Sequence, residues 1–123
     1  ETYLNPEERL WWSKGGELRG ESWPRIGFLR RIIEVGPGPL TPLPSEWVWS
    51  RVSGAQHGDD RLLYLGRHQP VAWGFGLPRE VTFAVEWIDT WNMTITQVPG
   101  TFRNVTEIPM PGKPYMAARI RPI

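Results

Sequence analysis

The sequence contains no cysteine. That removes a disulfide framework and a thiolate nucleophile, and it leaves the redox compartment unmarked. Histidine occurs only at His57 and His68, eleven positions apart and outside any ligand motif, so no zinc site is expected. The turn His57-Gly58-Asp59-Asp60 offers oxygen atoms, but its spacing matches no calcium loop. The expectation is therefore no metal and no other cofactor. An excess of charge of either sign is missing as well: fourteen Lys and Arg stand against thirteen Asp and Glu, a net charge of +1. Without a basic stripe interleaved with aromatics, nucleic acid is not an expected partner. Nor is there an apolar run of the ~20 residues a membrane-spanning helix needs, so no membrane partner is expected. A G-x-S-x-G elbow is absent, and Gly74-Phe75-Gly76 lacks the rest of a phosphate-binding fingerprint.

What the sequence does have is turn chemistry and tryptophan. In 123 residues it carries thirteen Gly, thirteen Pro and eight Trp, a composition suited to many short strands joined by tight turns. With 40% hydrophobic residues, a chain of this length buries one core of sandwich size. It begins at Glu1 without a methionine, and we expect it to be a piece of a longer protein.

The strongest pattern lies in Val81 to Thr96. Val81, Phe83, Val85 and Trp87 fall on one face of a period-two repeat, with Thr82 and Glu86 on the other, as a half-buried strand requires. The alternation stops at Asp89-Thr90-Trp91-Asn92, where Asp and Asn can bond their own backbone and Asn tolerates a left-handed conformation, and β-branched Thr94, Ile95, Thr96 and Val98 follow. This is a hairpin with a loop of about four residues. One of its two tryptophans, Trp91, falls on the turn and not on a strand face.

Asn5-Pro6-Glu7-Glu8 has the residues of a helix start and predicts a short helix through Leu10. Leu10-Trp11-Trp12-Ser13-Lys14-Gly15-Gly16 sets two tryptophans before a flexible turn, either as core or as a docking edge. A second helix is predicted from Ser22 to Val35, with Ile26, Leu29, Ile32 and Ile33 as an apolar stripe that must dock and Arg25, Arg30, Arg31 and Glu34 opposite. The run from Gly36 to Pro44 reads as a stiff linker. Beyond it the spacing predicts strands at Trp47–Val52, Arg61–Gly66, Val71–Phe75, Phe102–Ile108 and Tyr115–Ile120 around the hairpin, with a polar turn over Gly54–Asp60. With no helix between them, six to eight such strands predict a mostly β fold, an antiparallel β-sandwich preceded by a helical segment.

Three stretches carry a resemblance: Leu62-Leu63-Tyr64-Leu65-Gly66 with Gln69-Pro70, then Ile88-Asp89-Thr90-Trp91-Asn92-Met93-Thr94, then Pro111-Gly112-Lys113-Pro114-Tyr115-Met116-Ala117-Ala118-Arg119-Ile120. Together they resemble the C-terminal β-sandwich domain, a domain of unknown function, of bacterial family-5-like glycoside hydrolases. Upstream, Glu1-Thr2-Tyr3, Leu10 to Gly16, Arg25-Ile26 and Phe28-Leu29-Arg30 resemble the last segment of the (β/α)8 catalytic barrel of such enzymes. The resemblance implies that residues 1–36 end a barrel, 37–46 form the Pro/Gly-rich linker and 47–123 form a β-sandwich accessory domain. It also implies that the barrel of a parent chain is the partner.

Glycoside hydrolysis needs two carboxylates about 5 to 10 Å apart across a bond. The adjacent acids Glu7-Glu8 and Asp59-Asp60 point apart along the backbone, and the resemblance places most of the barrel before Glu1. The chain by itself is thus expected not to be an enzyme. Glu1, from a barrel loop, is the one weak catalytic candidate. The remaining chemistry is aromatic: exposed rings bind the flat C–H faces of sugars, and Trp47, Trp49, Trp73 and Trp91 are the carbohydrate-contact candidates. The ordinary alternative is that these rings fill the core or cover the barrel. Two functions follow, a non-catalytic accessory domain that supports the active-site edge of a glycoside hydrolase, or a carbohydrate-binding module. The apolar stripe of the second helix adds an expected contact, with the parent barrel or with another copy of the chain as an oligomer.

Overall fold

The computed structural model describes residues 2–4, 17–20, 22–43, 52–67 and 71–123. The chain divides into two units, Glu1–Glu34 and Val35–Ile123. In the first, strand β1 (Thr2–Leu4) pairs antiparallel with β2 (Glu17–Arg19), and helix α1 spans Ser22–Glu34. Pro24 lies in the first helical turn, where backbone N–H groups have no intrahelical acceptor, and Gly36-Pro37 follows the end. Arg30 and Glu34, one turn apart, form an exposed ion pair at 2.6 Å.

The apolar stripe of α1 differs from the expectation. Ile32 is buried, but its buried companion is Phe28, one turn earlier, with the Arg31 guanidinium 5.8 Å from the Phe28 ring centre. Ile26, Leu29 and Ile33 are exposed by 66%, 51% and 43%. These three share one face at i, i+3 and i+7, while Phe28 and Ile32 lie farther round the helix. Spacing locates the apolar residues but not the face the fold covers.

Among the described residues, the second unit holds eight strands in two antiparallel sheets. Strands β3 (Thr41–Pro42), β4 (Ser53–His57), β5 (Asp60–Gly66), β7 (Phe83–Asp89), β8 (Thr94–Gln97) and β10 (Met116–Pro122) form one sheet in the order β3-β4-β5-β10-β7-β8. Strands β6 (Ala72–Gly76) and β9 (Val105–Pro109) form the other. The last strand, β10, is central: Ala118 pairs with Leu63 of β5 on one side and with Trp87 of β7 on the other. One core cluster joins Leu63 and Leu65, Phe83, Val85 and Trp87, and Met116, Ala118 and Ile120 to Ile108 of β9, with Trp73 of β6 packed against it. Side chains from both sheets thus share one core, the arrangement of a β-sandwich-like domain.

The hairpin is as the alternation predicts, with Phe83 and Val85 wholly buried and residues 90–93 as its loop. Elsewhere the boundaries move. The predicted linker 37–46 is, over Thr41–Pro42, an edge strand paired with Gln56 and Ala55, and the Leu43 N–H donates to Gly54 O at 3.0 Å. Proline is tolerated there because an edge strand leaves one row of donors unpaired. Leu43 enters the core because Gly54 has no side chain: a Cβ at Gly54 would lie 2.5 Å from Leu43 Cδ1 and 2.8 Å from Leu63 Cδ2. The predicted polar turn over Gly54–Asp60 is therefore mostly strand β4, and the chain turns only at Gly58, where φ is +58°, and Asp59. The predicted strand at Trp47–Val52 lies outside the described residues except for Val52, which is buried. The predicted helix from Asn5 and the double-tryptophan segment also lie outside them.

Candidate functional site

The face of the large sheet opposite the core carries charge. Glu86 of β7 pairs across the ladder with Arg119 of β10, and its two carboxylate oxygens accept from Arg119 at 2.7 Å and from Arg121 at 2.6 Å. Asp60, at the start of β5, is buried on the same face. Burial pushes its carboxyl above the ordinary value, and the charges of Arg121 and Arg119 pull in the other direction. Glu86 thus has an arginine partner on each of its carboxylate oxygens.

The other feature lies where β7 ends. Asp89 is buried, and its Oδ1 accepts the backbone N–H of Trp91 at 3.1 Å and of Asn92 at 2.8 Å. Its Oδ2 accepts the Asn92 side-chain amide at 2.8 Å, and the Lys113 ammonium stands 3.7 Å away. Burial raises the carboxyl pKa, but the bonds from Asn92 and Trp91 and the Lys113 charge outweigh it and hold Asp89 below its ordinary value. The ionised carboxylate therefore shapes the turn, and Met93, rather than Asn92, takes the left-handed conformation, with φ +56°.

The register Met116↔Asp89 brings the entry to β10 beside this turn. Tyr115, immediately before β10, has φ +60°, a conformation that costs a non-glycine residue about 1–3 kcal/mol. Two contacts hold it: its N–H donates to Gly66 O at 2.8 Å, and its carbonyl accepts the Thr90 hydroxyl and, at 3.4 Å, the Thr90 N–H. The result is that the Tyr115 ring stacks on Trp91, with centroids 5.9 Å apart and planes 28° apart. At that separation the rings overlap only in part, and Trp91 and Tyr115 are 56% and 37% exposed.

Of the sequence candidates, Glu1, Trp47 and Trp49 lie outside the described residues. Trp73 packs against the core cluster, whereas Trp91 is exposed. Asp59 is exposed beside buried Asp60, so the two acids do not face a common cleft. Among the described residues no group of three or more His, Asp or Glu is placed to hold a metal ion. Tyr115 is not among the sequence candidates, since the alternation reads it as the first residue of a strand. The preceding Pro111-Gly112-Lys113-Pro114 is the signal that a turn reaches that far.

The two-sheet unit defines the class, a small antiparallel sandwich-like domain. Residues 49–121 match the family "Domain of unknown function (DUF5605)", and the chain belongs to that family. It is also similar to a crystal structure of a "putative glycoside hydrolase" from Bacteroides vulgatus ATCC 8482, at 33% sequence identity and a TM-score of 0.74. The match covers 100% of this chain and 28% of the Bacteroides chain, so this chain spans less than a third of the length of that relative. No curated protein matches.

Proposed function

We propose that this chain acts as a non-catalytic C-terminal accessory region of a bacterial glycoside hydrolase of family-5-like type. It packs on a (β/α)8 catalytic barrel and supports the edge of the barrel's active site. The observation that carries this reading is the alignment of the whole chain with 28% of a protein described as a "putative glycoside hydrolase". The exposed face of α1 is consistent with it: Ile26, Leu29 and Ile33 make an uncovered apolar stripe, and burying such side chains contributes roughly 1.5–3 kcal/mol each. In this reading the stripe meets barrel elements. An assay of the purified chain on a panel of aryl glycosides and oligosaccharides tests the non-catalytic role. Rates should equal those in buffer. Turnover that disappears in Glu1→Gln or Asp89→Asn would overturn the proposal.

A second reading, a carbohydrate-binding role, is favoured by one observation, the exposed Trp91 ring on a turn tied down by a buried carboxylate. It is compatible with the first, since an accessory region can also hold substrate.

A further inference from the structure

We propose that Trp91 and Tyr115 form a sugar-binding ledge, Trp91 offering the exposed part of its indole to a pyranose and Tyr115 backing and orienting that ring. The inference rests on the carbohydrate-binding reading and deepens it by naming the site.

Trp91 and Tyr115 are two large rings on adjacent turns, and the fold holds them partly exposed rather than letting them collapse onto the core. Three devices do so. Asp89 accepts both the Trp91 and the Asn92 N–H groups, which fixes the backbone that carries the indole. Thr90 bonds the Tyr115 carbonyl, which ties the two turns together. Tyr115 accepts a left-handed backbone, with φ +60°, where glycine would be unstrained. Strain at a non-glycine residue, maintained by surrounding hydrogen bonds, is a mark of functional positions. Its visible product is the stacked pair.

The chemistry fits a pyranose better than a peptide or a phosphate. The axial C–H bonds of a sugar face are apolar and weakly positive at hydrogen, which complements the negative face of an indole. An indole already held by stacking loses little freedom on binding. The hydroxyls at the rim of a sugar ring need polar partners, and two exposed polar side chains lie at the same end of the sheet: Asn92, whose amide already donates to Asp89, and Lys113, which stands 3.7 Å from Asp89.

Affinity electrophoresis in gels containing hydroxyethylcellulose, arabinoxylan or glucomannan tests the ledge. The wild-type chain should be retarded by at least one of these. Trp91→Ala should weaken retention about tenfold or more. Tyr115→Gly removes a ring but relieves the backbone, so it should weaken retention while leaving the melting temperature equal or higher. In NMR spectra the indole N–H signal that vanishes in Trp91→Ala should shift when the retained polysaccharide's oligosaccharide is added to wild type. Retention by the wild type that neither variant changes would overturn the ledge and leave a carbohydrate-binding role elsewhere on the chain. No retention in any gel would overturn both, and the accessory role on a barrel would stand. A Tyr115→Gly variant that loses retention only together with its melting transition would also overturn the ledge, because the effect would then be on the fold.

Discussion

Glu86 and Arg119 face each other across the β7–β10 ladder, Arg119 Nη2 lying 2.7 Å from Glu86 Oε2, and their side chains are only 13% and 9% exposed. Arg121 reaches the other oxygen of the same carboxylate from a position 40% exposed. Removing Glu86 leaves the buried Arg119 charge without its partner, whereas removing Arg121 leaves Glu86 still paired. Glu86→Ala should therefore cost about 3–5 kcal/mol, and Arg121→Ala no more than about 1 kcal/mol. Urea melts of both variants, with the double mutant to isolate coupling, measure the difference. Equal costs would mean that the inner pair is solvated.

Gly54 sits under Leu43 and Leu63, and an added methyl group would collide with both side chains. Gly54→Ala should destabilise the chain by about 1–3 kcal/mol, as overpacking does. Glycine-to-alanine changes in ordinary strands stabilise instead, so the sign alone decides. A pair of denaturant curves is sufficient.

Asp89 has a lowered carboxyl pKa in the folded chain, because Asn92, Trp91 and Lys113 favour the charge more than burial opposes it. A depressed folded pKa contributes stability that is fully present above the unfolded value of about 3.9 and is lost as pH falls through the folded value. Asp89→Asn should thus be less stable than wild type at pH 7, with the gap closing as the pH drops below about 4. Asp60, raised by burial, has the opposite sign, since its contribution is present at low pH and is lost as pH rises. Asp60 is common to both proteins and cancels in the comparison. Thermal melts from pH 7 to pH 2.5 check it, and a gap that stays constant would show that the carboxylate charge does not matter to the turn.

On α1 the exposed stripe predicts association. Sedimentation of the isolated chain should show a species larger than a monomer, and Leu29→Glu/Ile33→Glu should return it to monomer size. Both positions are exposed, so the substitutions leave the buried Phe28 and Ile32 in place. A monomeric wild type would mean that the stripe needs no second surface.

Much of the fold is legible in the sequence because period-two alternation reports directly which side of a strand is wet. Phe83, Val85 and Trp87 point to the core as their spacing says, and the turn residues after them end the strand where expected. The helix from Ser22 is legible from its early proline and the glycine that follows it. The lack of cysteine and of a charge excess narrows the functional classes by composition alone. What the alternation does not carry is which strand lies beside which, because that depends on contacts between residues far apart in the chain. Only the pairing of β10 with β5 and β7 sets Arg119 against Glu86, and only the register Met116↔Asp89 brings Tyr115 to Trp91. Likewise Thr41–Leu43, which local composition reads as a linker, becomes an edge strand because Gly54 leaves room for Leu43 to reach the core. Local spacing determined the faces of the strands, and tertiary packing decided their neighbours, because a hydrophobic period states how a segment is amphipathic and leaves open what covers it.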